Sequence, residues 1–240
     1  MTGRSRARDR SRPSGAAPAW TPARLSNLAA WFRADLGVTG SSVSAWADQS
    51  GNGRHLAQGT GSAQPTYSAS DAAYGGRPVL TFDGGDYFDA LASWGLSQPV
   101  TIYVVGQSGT SGDYKTFVDA NAGARLIVRS TAAEMASIYG GSANVEPGAS
   151  VAGPSIICAV FNAASSAVYV SDVTASATGN PGSGGLGTPR VGMGAVSVYP
   201  LPSNGKIAEV IYVNAAHDAA TRAQVLSYAS KRYNLSVTGL

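Results

Sequence analysis

The chain is poor in sulfur and in charge. It has one cysteine, Cys158, in 240 residues. No intrachain disulfide can form, and a lone cysteine inside IICAVF reads as a buried, inert thiol. With one Cys and two separated histidines, His55 and His217, the ligand clusters of zinc or iron–sulfur sites are missing. Charged residues make up only 13%, against about 25% in an average globular domain. Solubility must then come from Ser, Thr, Asn and Gln, a composition typical of secreted or virion β proteins. No apolar run is long enough to span a membrane. Arg12 is followed by PSGAAPAWTPAR and not by the apolar segment of an export signal. There is no G-x-S-x-G elbow, Walker loop or dinucleotide fingerprint.

The charge that exists is unevenly placed. Residues 1–14 hold Arg4, Arg6, Arg8, Arg10 and Arg12 against Asp9, a local charge of +4. The whole chain carries +3, so the rest carries −1. A duplex-binding domain would need a basic face, which the body has no excess charge to supply. Residues 1–18 combine charge, Pro and Gly with little apolar surface, and read as a flexible arm. Residues 19–240 read as one β domain.

Strand patterns follow one another closely: LAAWFRAD, VSAWADQ, RPVLTFD, VTIYVVGQ, SIICAVFN and KIAEVIYV. In VTIYVVGQ, Val100, Ile102 and Val104 share one face and Thr101, Tyr103 and Val105 the other. IICAVF and VIYV are apolar on both faces, which places them in the middle of a layered structure. RPVLTFD turns at GG and returns as DYFDA, and Asn204-Gly205 signals a type I′ hairpin. One helix is expected in DAATRAQVLSYASKRY, with Asp218 as N-cap and Val225, Leu226, Ala229 and Tyr233 on one stripe, packed as a lid on the sandwich edge. These features predict an all-β, two-sheet antiparallel jelly-roll sandwich with one C-terminal helix and a flexible N-terminal arm.

The series WFRADLGV, WADQSGNGRHLAQ, QPTY, RPVLTFDGGDYF and IAEVIYVNAAHDAATRAQVLSYASKRY resembles the LamG-like, concanavalin A-like lectin/glucanase domains of bacterial and phage proteins, over roughly residues 24–235. The resemblance implies two curved sheets of about six or seven strands each. It places ligands on the concave sheet or the rim loops and suggests a virion setting.

The acids are few. A glycosidase needs two carboxyl groups at a set separation. The Glu-x-Asp-x-x-Glu motif of glucanases with this fold is absent: Ala136, Gly148 and Ile211 stand two places after Glu134, Glu146 and Glu209. Glu209 shares a face with Ile207, Ile211 and Val213, so it needs partners and reads as a structural acid. Asp48, Ser50 and Asn52, and Asp83, Asp86 and Asp89, are calcium candidates, though Asx residues beside Gly also make ordinary turns. Tyr87, Trp94 and Tyr114 lie in polar, turn-rich contexts and are the expected sugar platforms, while Trp20, Trp31 and Trp46 are expected in the core. No cofactor is required.

The expected function is a non-enzymatic recognition or structural protein of a phage or phage-like virion. Its arm would dock on an acidic surface of neighbouring subunits, and its body would bind polysaccharide. The alternatives are a bacterial adhesion module at the cell surface and, further off, a glycoside hydrolase. A homo-oligomer is expected, without a membrane partner. The arm alone offers salt-sensitive contact with nucleic acid.

Overall fold

The computed structural model describes residues 19–109, 114–121, 126–146, 148–192, 201 and 203–240. The arm and its five arginines lie outside the described residues. Two antiparallel sheets form a sandwich, with eight strands in one and nine in the other among the described residues. That exceeds the six or seven implied by the resemblance, because four strands of the nine-stranded sheet, among them Val38–Thr39 and Ala45–Trp46, are only two residues long.

The strand Lys206–Val213 organises the eight-stranded sheet. One edge pairs along its length with Val100–Gln107. The other is shared by Arg77–Thr81 at its start and Leu28–Arg33 beyond it. Ser155–Phe161 continues the sheet from Val100–Gln107. Val100, Ile102 and Val104 face the core between the sheets, with Phe32, Phe82, Phe88, Phe117 and Trp46. Each such side chain contributes about 1.5–3 kcal/mol on burial.

The same sheet is apolar on its outer face, and the helix Ala219–Tyr233 covers it. Val225 packs with Trp31, Tyr103, Cys158 and Ile211. Leu226, Ala229 and Tyr233 pack with Tyr74, Val79, Val105 and Ile156. Asp218 caps the helix, its Oδ1 accepting from the Thr221 N–H at 2.8 Å. The helix therefore lies across a sheet face and not on the sandwich edge: both faces of IICAVF and VIYV are apolar and need cover.

Two hairpin expectations fail for a shared reason. Arg77–Thr81 and Phe88–Ala90 belong to different sheets, so GG makes a crossover. Asn204-Gly205 makes no hairpin either, because both edges of Lys206–Val213 are taken by Val100–Gln107, Arg77–Thr81 and Leu28–Arg33, and the preceding strand among the described residues, Thr188–Val191, lies in the other sheet. Gly205 is needed there for close approach, since a Cβ would stand 2.1 Å from the Gln107 carbonyl oxygen. Among the described residues no helix is long and apolar enough to cross a membrane.

Candidate functional site

The nine-stranded sheet has the opposite character on its outer face. Phe88, Val118, Val128, Ile138, Val145 and Val191 point into the core. Alternation therefore sends Asp89, Asp119, Arg129, Ser137, Tyr139, Asn144 and Arg190 outward. The strand register aligns them. Arg190 lies opposite Asp89 on one neighbouring strand and Asp119 on the other. Arg129 lies between Thr116 and Ser137, and Tyr139 opposite Asn144. A bulge at Phe117, between Thr116 and Val118, keeps Thr116 and Asp119 on this one face.

Two arginines organise the row. Arg190 donates from Nε to Asp89 Oδ1 at 2.7 Å and from Nη2 to Oδ2 at 2.9 Å, a bidentate pair. Its guanidinium lies over the Tyr87 ring, 4.0 Å from the centroid. Arg129 repeats the motif: it stacks on Tyr114 at 4.0 Å, approaches Tyr139 at 5.8 Å and donates from Nη2 to Asn144 Oδ1 at 2.5 Å. Each stack contributes about 0.5–1 kcal/mol near the surface and holds a planar donor fork in place. Asp89, Tyr87, Tyr114, Tyr139 and Arg190 are half-buried and Asn144 exposed, so solvent reaches these groups, whereas Asp119, Arg129, Thr116 and Ser137 are buried. The Thr116 and Ser137 hydroxyls, flanking Arg129, are buried without a hydrogen-bond partner, an arrangement that costs about 1–3 kcal/mol per group. The face thus offers fixed donors, carboxylate and amide acceptors, and aromatic rings.

Tyr87 and Tyr114 both lie on this face, each under its own arginine. Trp94 does not: it is buried, stacked on Phe32, met edge-on by Tyr212 at 4.9 Å and overlaid by the Arg54 guanidinium. Polar neighbours in sequence misled there, because ASWG turns its ring inward. Trp31 and Trp46 are core residues as expected, whereas Trp20 is half-buried against Tyr228. Arg129, Arg190, Tyr139 and Asn144 were missed. The available signal was a lone arginine interrupting an apolar strand, in LIVRS and PRV, in a chain with little charge.

The calcium candidates make turns. Asp48 Oδ1 accepts from the N–H groups of Trp31 and Ser50, and Oδ2 from Ser50 Oγ and the Arg54 N–H. Those four donors fill the carboxylate's capacity. Asn52 Nδ2 donates to the Leu28 and Ala29 carbonyls, at 2.9 and 3.0 Å. Asp83 Oδ1 accepts from the Gly85 N–H, and Asp86 Oδ2 from the Asp83 N–H. Burial, with Asp83 nearby, raises the Asp86 pKa. Among the described residues no group of three or more His, Cys, Asp or Glu is placed to hold a metal.

Glu209 is a structural acid, as expected, but its partners are aromatic. Its carboxylate accepts from Trp31 Nε1 at 2.5 Å, Tyr233 OH at 2.7 Å and Tyr228 OH at 3.1 Å, with Arg232 Nε 3.9 Å away. Burial still pushes its pKa upward. His217 meets Tyr103 OH at 2.7 Å, and burial lowers its pKa to about 4, so it stays neutral. Cys158 is fully buried and its thiol is pushed up to about 12.

No family model matches the chain. No curated protein matches it either. Solved structures do. A Trypanosoma rangeli sialidase in complex with sialic acid matches at TM-score 0.60 and 11% identity, covering 86% of this chain and 33% of that one. Domain 4 of AbnA, a GH43 extracellular arabinanase from Geobacillus stearothermophilus, in complex with arabinotriose, matches at TM-score 0.59 and 14% identity, covering 85% and 98%. An arabinofuranosidase complexed with arabinofuranosyl-alpha-1,2-xylobiose matches at 0.58 and 12%, covering 80% and 51%. The chain spans about a third of the length of the sialidase chains it matches. The expectation of a protein apart from enzymes is thereby corrected: the fold is an enzyme-associated one, shared with part of a sialidase and with one domain of a GH43 arabinanase. At these identities the likeness carries the fold alone. The chain is a β-sandwich similar to domains of carbohydrate-active proteins.

Proposed function

We propose that the chain is a carbohydrate-binding domain of LamG-like type, with its ligand on the outer face of the nine-stranded sheet. The observation that carries this reading is the pair of arginine-on-tyrosine stacks, Arg190 on Tyr87 and Arg129 on Tyr114, set beside Asp89, Tyr139 and Asn144. The guanidinium N–H groups of Arg190 not turned to Asp89 can donate to sugar hydroxyls, the Asp89 carboxylate and Asn144 amide can accept, and the Tyr139 ring adds apolar surface. Ordering these groups beforehand lowers the entropic cost of binding. Neighbours solved with arabinotriose and with an arabinofuranosyl xylobiose make pentose oligosaccharides the first ligands to try.

The test is calorimetric titration of arabino-, xylo- and sialyl-oligosaccharides, followed by the double substitution Arg129→Ala with Tyr139→Ala. Binding of at least one class is expected, weakened about tenfold or more by the substitution, which is about 1.4 kcal/mol. Binding that the double variant retains in full would remove the ligand from this face.

The basic arm supports a second element of the proposal, anchoring on an acidic neighbouring subunit of a phage or phage-like particle. Its support is the charge division, +4 in residues 1–14 against −1 in the remainder.

A further inference from the structure

On the other side of the sandwich, a hollow of about 530 Å³ opens where Ala19 and Trp20 pass the C-terminal helix. That volume lies in the range of small-molecule sites. We propose that it binds a small organic anion, a ring compound bearing a carboxylate or phosphate. The site is separate from the glycan face and rests on none of its residues.

Its wall is aromatic and fixed. The Trp20 ring meets Tyr228 at 5.7 Å and 65°. Tyr228 cannot swing freely, because its hydroxyl donates to the buried Glu209. Its rim is cationic: Arg77, Lys231 and Arg232 line it, and no acid does. The three differ in what they already hold. Arg232 donates to Asp35 and lies near Glu209, so its charge is offset. Arg77 and Lys231 are exposed and make no ion pair among the described residues. Arg77 is tethered at the mouth, its Nε donating to the Arg232 carbonyl at 3.3 Å. Gln224 and Ser227 add neutral polar groups.

Helix-dipole pairing accounts for Lys231, which stands in the last turn. It does not account for Arg77, which comes from the strand Arg77–Thr81 and adds a second uncompensated charge beside an aromatic wall. The chain's own arm is the wrong occupant. Residues 1–14 carry +4, and like charges repel. Two cations beside a rigid ring pair select a ligand that is flat or apolar on one side and anionic on the other.

The full chain is titrated with 8-anilinonaphthalene-1-sulfonate, an aromatic anion, and with N-phenyl-1-naphthylamine, which lacks the sulfonate. The anion is expected to bind about tenfold more tightly. The double substitution Arg77→Gln with Lys231→Gln should abolish that preference while leaving the circular dichroism spectrum unchanged, since both residues are exposed. Trp20→Ala should weaken both dyes. Displacement of the bound anion by adenosine 5′-monophosphate would assign the site to phosphate-bearing rings, and displacement by glucuronate to carboxylated sugars. Failure of both to displace it, equal affinity for the two dyes, or a preference that survives the double substitution would overturn the proposal.

Discussion

Glu209 shows what one buried acid organises. Three elements of the fold meet on its carboxylate: the strand carrying Trp31, its own strand, and the helix, through Tyr228 and Tyr233 on successive turns. Replacing it with Leu would strand three donors and leave Arg232 with only Asp35. Glu209→Leu is expected to cost about 3–5 kcal/mol, as for removal of one partner from a buried charged network, read as a lower urea midpoint. The pH dependence separates it from Asp35. Burial raises the native Glu209 pKa, so its share of stability is largest at low pH and falls as pH rises from the unfolded glutamate value toward the native one. Burial also pulls Asp35 upward, but its bonds to Arg33 and Arg232 outweigh this and lower its pKa. Its share is present above the unfolded aspartate value and lost as pH falls through the native one. Glu209→Gln should flatten the first trend and leave the second. If urea midpoints of the variant fall with pH as in the parent, the first trend belongs to another group.

At the scale of elements, the turn after Trp46 is a clamp. Asp48 gathers four donors, and Asn52 reaches back to the carbonyls of the strand Leu28–Arg33. Asp48→Ala would leave the buried Trp31 N–H without its acceptor and is expected to cost about 2–4 kcal/mol. Chelators should leave Tm unchanged, because the acceptors are already filled by protein donors; a lower Tm in EDTA would restore calcium to this loop. The C-terminal helix was legible in the sequence down to its cap, since Asp218 and the stripe Val225, Leu226, Ala229 and Tyr233 obey local rules. The hairpins were not. A turn dipeptide encodes a reversal, but which sheet the next strand joins depends on partners far along the chain, as with Gly205 against Gln107. The site was half legible for the same reason. Tyr87 and Tyr114 stand beside turns and could be named, whereas Arg129 and Arg190 gain meaning only when register places them on those rings.

At the scale of the whole molecule, charge and cover are distributed in opposition. The eight-stranded sheet carries its helix outside, the nine-stranded sheet presents its polar row, and the net positive charge of the chain lies ahead of Ala19. Residues 15–240 sum to −1, so the body has no net positive charge to offer a duplex. Affinity for nucleic acid is therefore expected from the arm, through phosphate contacts that release counterions. With up to five arginines engaged, log K against log salt should fall with a slope of about −3 to −4.5. Deleting residues 1–14 should abolish this binding in an anisotropy titration with a duplex oligonucleotide, and should leave oligosaccharide affinity intact. Duplex binding that outlives the deletion would show that the body concentrates positive charge somewhere its net sum conceals, and Arg77 with Lys231 would be the first place to look.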